Sequence, residues 1–225
     1  MVTEVEWFGE RLDLLAERAV WWPAKSTLLV ADIHLGKDAS FRRYGIPIPM
    51  GSGQNDLNRL TALLGATGAR RLVFLGDLLH ARSGMTDSTR DLVHGWRQRH
   101  KELTVILVRG NHDRSAGDPP PDWEIECVSE PFQDPPFLLC HAPPQGVPVS
   151  AALAGHLHPA VTLVGPANTS MSLPCFWMRS HTLVLPAFTS FAGRPEIAPE
   201  PGDRIFVIGE GQVAEVPVYS QSEKA

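Results

Sequence analysis

Short apolar runs of strand length recur along this chain: "STLLVAD", "RRLVFLGD", "LTVILVRGN", "PFLLCHA", "AALAGH", "HTLVLPA" and "RIFVIGE". Each is rich in leucine or β-branched residues, and each is stopped by Gly, Pro or a polar side chain. Two helical patterns separate the first three. One covers roughly residues 53–64, with Leu57, Leu60, Leu63 and Leu64 on a single face. The other covers roughly residues 87–100, with Leu92, Val93 and Trp96 turned inward. Strand–helix–strand alternation of this kind demands parallel strands with helices packed on the sheet. Beyond about residue 115 the helical period vanishes, and short strands joined by proline-rich turns take over. The expected fold is therefore an α/β sandwich, two mixed sheets face to face with helices outside. Residues 1–225 carry no internal repeat and no boundary, which predicts a single domain.

The polar residues cluster where the strands end. "LLVADIHLG" closes on Asp32 and His34, "LVFLGDLLH" on Asp77 and His80, and "VILVRGNHDR" on Asn111, His112 and Asp113. "FLLCHA" closes on His141, and "LAGHLHPA" on His156 and His158. Six of the nine histidines lie in these blocks. Strand ends form the crevice in which α/β folds bind ligands. Any one block is ordinary, since a DxH caps turns and "GNHD" suits a tight turn. Five turns that all end in oxygen and imidazole donors are not ordinary. His156 and His158, at i and i+2, would point the same way from an extended chain, with Leu157 turned back into the core.

Charge and composition narrow the partners. The formal charge of −5 excludes a general polyanion binder, yet residues 37–114 hold thirteen Lys and Arg against seven Asp and Glu. The three cysteines, Cys127, Cys140 and Cys175, form no CxxC pair, so reduced packing thiols are expected. The acidic N-terminus "MVTEVEWFGERLDLL" lacks the form of a signal peptide, and no run approaches the ~20 apolar residues of a spanning helix. A soluble, cytoplasmic protein without membrane contact is the expectation. Trp21 and Trp22 read as packing residues.

The order DxH, GDxxH, GNHD, H, GHxH resembles the calcineurin-like metallophosphoesterase superfamily, from Asp32 through His158. Within it, "ERAVWWPAKSTLLVADIHLGKDASFRRYGIPIPMG", "FLGDLLHARSG", "RGNHD" and "GHLHPA" are most similar to the bacterial ligase-associated DNA-damage-response endonucleases. The resemblance implies two divalent metal ions. Asp32, His34 and His158 would hold one, Asn111, His141 and His156 the other, and Asp77 would bridge them. Two cations ~3.5–4 Å apart need such an anionic bridge. The mixed nitrogen and oxygen donors suit Mn²⁺ first, with Fe or Zn²⁺ also suited. The same resemblance makes His112 the proton donor to the leaving group.

One position departs from the commoner superfamily pattern. Phosphoprotein phosphatases carry GDxVDRG, whose second acid orients the catalytic histidine. Here His80 stands in that place, followed by "ARS". A GDxxH block is similar to the nuclease subunit of the double-strand-break repair complex, where the histidine handles a nucleic-acid phosphate. Lys37, Arg42 and Arg43 follow the first block and could clamp flanking phosphates. The implied activity is a metal-dependent phosphodiesterase acting on nucleic acid, DNA first, in repair alongside a DNA ligase and helicase. Two rivals stand beside it. A lipid-pathway pyrophosphatase would usually show GNRD and an apolar lid, and a non-catalytic scaffold would tend to lose His112.

Overall fold

The computed structural model describes residues 2–46, 48, 51–146, 150–165 and 169–218. A meander opens the chain: β1 (Val2–Trp7), β2 (Glu10–Leu15), β3 (Ala19–Trp22) and β4 (Thr27–Val30). Two helices, α1 (Lys37–Arg43) and α2 (Ser52–Thr67), lead to β5 (Arg71–Leu75). Then come α3 (Asp87–Arg99), β6 (Thr104–Val108), the short α4 (Asn111–Ala116) and β7 (Glu126–Val128). These seven strands form one sheet in chain order, antiparallel from β1 to β4 and parallel from β4 to β7. The remaining strands are β8 (Phe132–Asp134), β9 (Phe137–Leu139), β10 (Ala151–Ala154), β11 (Ala160–Val164), β12 (Ser170–Met178), β13 (Thr182–Val184), β14 (Arg204–Gly209) and β15 (Gln212–Val216). They build a second mixed sheet in the order β15-β14-β12-β13-β10-β9-β8, with β11 paired to β12.

Alternation along the strands decides the layers. Leu29 and Ala31, Val73 and Leu75, and Ile106 and Val108 face the second sheet. There they meet Leu139, Leu153, Phe176, Leu183 and Phe206. Their neighbours Leu28 and Val30, Leu72 and Phe74, and Val105 and Leu107 face the helices, against Leu57, Leu60, Val93 and Trp96. The sandwich expected from the sequence is present, with α2 and α3 on the outer face of the first sheet. The outer face of the second is covered differently. Cys175, Trp177, Ile205 and Val207 pack there against Leu157, Val161 and Ile197. Leu157 thus packs under this outer face and not into the central layer.

The sequence patterns show seven of the strands and both long helices. Strands β1 to β3, β7, β8, the β11–β12 hairpin, β15, α1 and α4 carried no such signal. In β1 and β2 the apolar residues are broken by charges such as Glu4, Glu6, Arg11 and Asp13, with Arg11 bonded to Glu4 and Asp13. Helix α4 is six residues long, too short to show a period. All three cysteines are free thiols, and Trp22 is fully buried. Among the described residues no helix is long and apolar enough to cross a membrane.

Beyond the strands, the first sheet continues as loop-to-loop hydrogen bonds. Asp32 donates its amide to the Gly76 carbonyl (3.2 Å), His34 to Asp77 (2.9 Å) and Leu35 to Leu78 (2.8 Å). Phe188 donates to Ala31 (2.7 Å) and Gly155 to His141 (2.9 Å), which stitches the strand-end loops of both sheets into one rim. Trp96 ties α3 to α2 through Nε1 and the Thr61 hydroxyl (3.0 Å) and is 1% exposed. Trp96→Ala should therefore lower the unfolding free energy by about 3–5 kcal/mol in a denaturant titration. Tyr44→Ala, at a 73% exposed position, should change it by less than about 0.5 kcal/mol. Comparable losses would contradict this assignment of the core.

Candidate metal centre

The five polar blocks meet at this rim. Two groups of donor atoms each lie within 4.8 Å of one another: Asp32, His34 and His158, and Asp77, His141 and His156. The backbone that delivers them is unusual. Asp32 (φ 55°), His34 (φ 50°), Asp77 (φ 51°), His156 (φ 70°) and His158 (φ 47°) all occupy the left-handed region. Each such residue costs about 1–2 kcal/mol. His156 and His158 are therefore not in the extended chain that their spacing suggests. They leave β10 in a strained loop, and each ring goes to a different group. Strain of this kind persists only where surrounding structure enforces it.

Glycines allow the close approaches. Gly76 (φ 80°) lies against the His141 ring, where a Cβ would collide with Nδ1. A Cβ on Gly110 would collide with the Asp77 carboxylate. The turns "LGD" and "RGN" thus need glycine so that backbone and ligand can share the space.

Around His141 the protons can be traced. Its Nδ1 faces the Leu75 carbonyl (3.1 Å), which can only accept, so Nδ1 carries the hydrogen. Nε2 is then a lone pair. Asn111 Oδ1 and His156 Nδ1 both stand 2.9 Å from it, and Asp77 Oδ1 is 3.5 Å away. A proton on His156 would satisfy one contact and leave two oxygens aimed at the same lone pair. His141 is 1% exposed, so water does not relieve the crowding from behind.

The second group has the same character. Asp32 is fully buried, and its Oδ1 has no hydrogen-bond partner among the described residues, with His158 Nε2 3.4 Å away. Its Oδ2 accepts from the His156 amide (2.8 Å), which links the two groups. The Nδ1 of His34 is also buried without a partner. Burial, then Lys37 and the neighbouring histidines, push His34 down to about 2, so its ring is neutral. Burial also lowers His156, while burial and then the Asp32 charge act to raise Asp77. Neutral imidazoles and carboxylates facing inward without protons fit divalent cations.

His112 is the second residue of α4. Its amide donates to Asp77 Oδ1 (3.0 Å), and its Nδ1 donates to the His80 carbonyl (2.7 Å). The carbonyl fixes the tautomer and leaves Nε2 on the side of Asp77 Oδ2, 3.9 Å away. His80 contributes more than a side chain at this point, since its backbone orients His112. The His80 ring stacks on that of His112 at 5.1 Å and 22°, and burial, then His112, lower it to about 4. His34, His80 and His112 also lie close enough to form a third group, but it contains no carboxylate.

Of the three cations singled out in the sequence, Lys37 reaches this cluster. It is half-buried over the Phe41 ring, near enough to His34 and His80 to lower both. Arg42 is paired to Asp38 along α1 (3.2 Å), and Arg43 is exposed at the end of that helix.

Two carboxylates escaped the sequence reading as site residues. Asp113 is fully buried and accepts from the Leu79 amide and the Gly110 amide, both at 2.9 Å, clamping the GDxxH and GNHD loops together. Its place in "GNHD" was the available signal. Glu130 Oε2 accepts from the amides of His141 (2.9 Å) and Ala142 (3.0 Å), while Oε1 meets Arg114. Eleven residues separate it from His141, and no motif marks it.

Residues 25–141 match the calcineurin-like phosphoesterase family. That span covers just over half of the chain and every block except the last. The chain belongs to this family. Calcineurin-like phosphoesterases use divalent metals, and this member supplies candidate groups to hold them, which makes it a metal-dependent phosphoesterase. Among solved structures, the nuclease MPE of Pseudomonas putida is 41% identical with a TM-score of 0.83, over 96% of this chain and 100% of that one. The E. coli phosphoesterase Yfce is 16% identical with a TM-score of 0.43, over 84% of this chain and 97% of that one. No curated protein sequence matches the chain.

Neutral buried histidines give the metal-free protein a pH signature. An unfolded histidine binds its proton near pH 6.5, whereas folded His80 does so only near 4. The unfolded state therefore gains protons first, so stability is full above about pH 6.5 and falls towards pH 4. The raised Asp77 acts in the opposite sense, which makes the variant the cleaner comparison. In chelator-treated protein, His80→Gln should flatten the fall of the urea midpoint between pH 6.5 and 4. An unchanged fall would contradict the neutral, desolvated ring.

Proposed function

We propose that this phosphoesterase cleaves phosphodiester bonds of nucleic acid, DNA first, with two divalent ions, and that it serves DNA repair. In this reading Asp32, His34 and His158 hold one ion and Asn111, His141 and His156 the other, with Asp77 between them. Mn²⁺ is the favoured metal, because mixed imidazole and oxygen donors suit it better than Mg²⁺. When bound, such a pair activates water and stabilises the charge that develops on the phosphoryl oxygens. The chain works as one domain in the cytoplasm, beside a DNA ligase and helicase.

The observation that carries this reading is the convergence of Asn111 Oδ1, Asp77 Oδ1 and His156 Nδ1 on His141 Nε2, where one proton on His156 would satisfy a single contact. His112 adds the proton chemistry. Its Nδ1–H is committed to the His80 carbonyl, so a protonated ring offers Nε2–H to a leaving oxygen and to nothing else in the loop. No acid stands behind His112. A carbonyl orients the ring without adding a charge beside the substrate.

The neutral His80 supports a diester over a monoester. A diester carries one negative charge at phosphorus, and an imidazole can donate to its oxygen without a fixed countercharge. In phosphoprotein phosphatases "DRG" supplies an arginine directly after the acid for the phosphomonoester dianion, and here Ala81 stands in that place, with Arg82 one residue later. The 41% identity to a P. putida nuclease, over nearly the full length of both chains, supports nucleic acid as the substrate class.

Diester hydrolysis should exceed monoester hydrolysis in Mn²⁺, with cleavage of single-stranded or damaged DNA. Preference for the monoester, or no nuclease activity with any divalent metal, would overturn the proposal. His112→Asn should leave metal content intact and lower turnover by ~10²–10⁴-fold. The loss should be larger for an alkoxide leaving group than for nitrophenolate, which needs little protonation. Equal losses on both would exclude His112 as the proton donor.

A further inference from the structure

Next to the candidate centre runs a cleft of about 630 Å³ that the proposed mechanism does not use. Leu79, Met85 and the run Pro119, Pro120 and Pro121 give it apolar walls, and Arg82 and Arg90 stand at its rim. Two elements of the chain carry both the cleft and the reaction site. Leu79 lies between Asp77 and His80, and Ala116, also lining the cleft, ends the helix whose second residue is His112. Arg82 opens the short 3-10 turn Arg82–Gly84, two residues after His80. That turn packs on α1 through the Ser40–Ser83 hydroxyl pair (2.7 Å).

The charge of the cleft is positive and uncommitted. Its acid, Asp118, is held by Arg109 in a two-point pair at 2.7 and 2.8 Å. Arg114 is likewise engaged by Glu130. Arg82 and Arg90 have no ion pair among the described residues, although both are exposed and flank the same apolar surface. Two free guanidinium forks beside an apolar wall fit a ligand that is anionic along one side and apolar along the other. A strand of nucleic acid is such a ligand, with phosphates for the arginines and sugar and base for leucine, methionine and proline.

We infer that this cleft holds the arm of a single-stranded nucleic acid leaving the centre on the His80–His112 side, with Arg82 and Arg90 on successive phosphates. The inference rests on the proposed nuclease function and assigns residues to one of its two substrate arms. Arg82 and Arg90 are specificity residues here: they select a polymer over a small diester.

The test is the double variant Arg82→Ala/Arg90→Ala in the full chain with Mn²⁺, on a single-stranded oligonucleotide and on bis(p-nitrophenyl) phosphate. The KM for the oligonucleotide should rise roughly tenfold with little change in kcat, and more than the KM for the small diester. Loss of two phosphate contacts should flatten the log KM against log salt slope by about 1.4. A double variant with wild-type KM and slope on the oligonucleotide would overturn the cleft while leaving the nuclease reading intact. Wild-type protein that hydrolyses the small diester but cleaves no nucleic acid would overturn both. Should the double variant lose both activities equally, Arg82→Lys/Arg90→Lys decides. Recovery of the salt slope supports the inference, and continued loss on both substrates overturns it.

Discussion

Much of this structure follows from bringing several electron-pair donors to one rim with fewer protons than acceptors. His141 Nε2 faces Asn111 Oδ1 at 2.9 Å and Asp77 Oδ1 at 3.5 Å, and the buried Asp32 Oδ1 has no hydrogen-bond partner among the described residues. Buried groups of this kind are costly unless a cation completes them. The protein accepts further cost to place them, with five candidate ligands held in left-handed backbone. Glycines at 76 and 110 let the loops close onto the ligands, and Asp113 and Glu130 lock the loop amides. The two-sheet core supplies the rigidity against which that strain is held.

In the proposed reading, His112 would donate its proton without the usual acid behind it. In His112 the second nitrogen is fixed by the carbonyl of His80, so orientation comes from backbone that the GDxxH turn already positions. That frees the His80 side chain to remain neutral and stack on His112. A site built this way buries its two candidate carboxylate ligands, Asp32 and Asp77, and sets the less buried His80, His112 and Lys37 beside them. Such a surface suits a singly charged phosphodiester.

The core strands and the two long helices were legible because their burial is two-sided or periodic, and both leave a pattern in the order of residues. The polar blocks were legible for a different reason: each strand stops on a donor residue. What stayed hidden depended on three-dimensional closure. The charged meander of β1 and β2 is stabilised by pairs such as Arg11–Asp13 and not by apolar alternation. Glu130 acts on His141 across a turn, so no local spacing announces it. The spacing of His156 and His158 suggested extended chain, whereas the left-handed loop sends their rings to separate groups. The pairing of Arg42 with Asp38 on the preceding turn of α1 was likewise not read from the sequence.

The central claim is that Asp77 joins two ion sites into one centre. Elemental analysis of protein purified without chelator and loaded with Mn²⁺ tests it most directly, read beside Asp77→Ala prepared in the same way. The account predicts close to two ions per chain for the native protein and loss of both in the variant, with circular dichroism unchanged. Full occupancy retained by Asp77→Ala would contradict it.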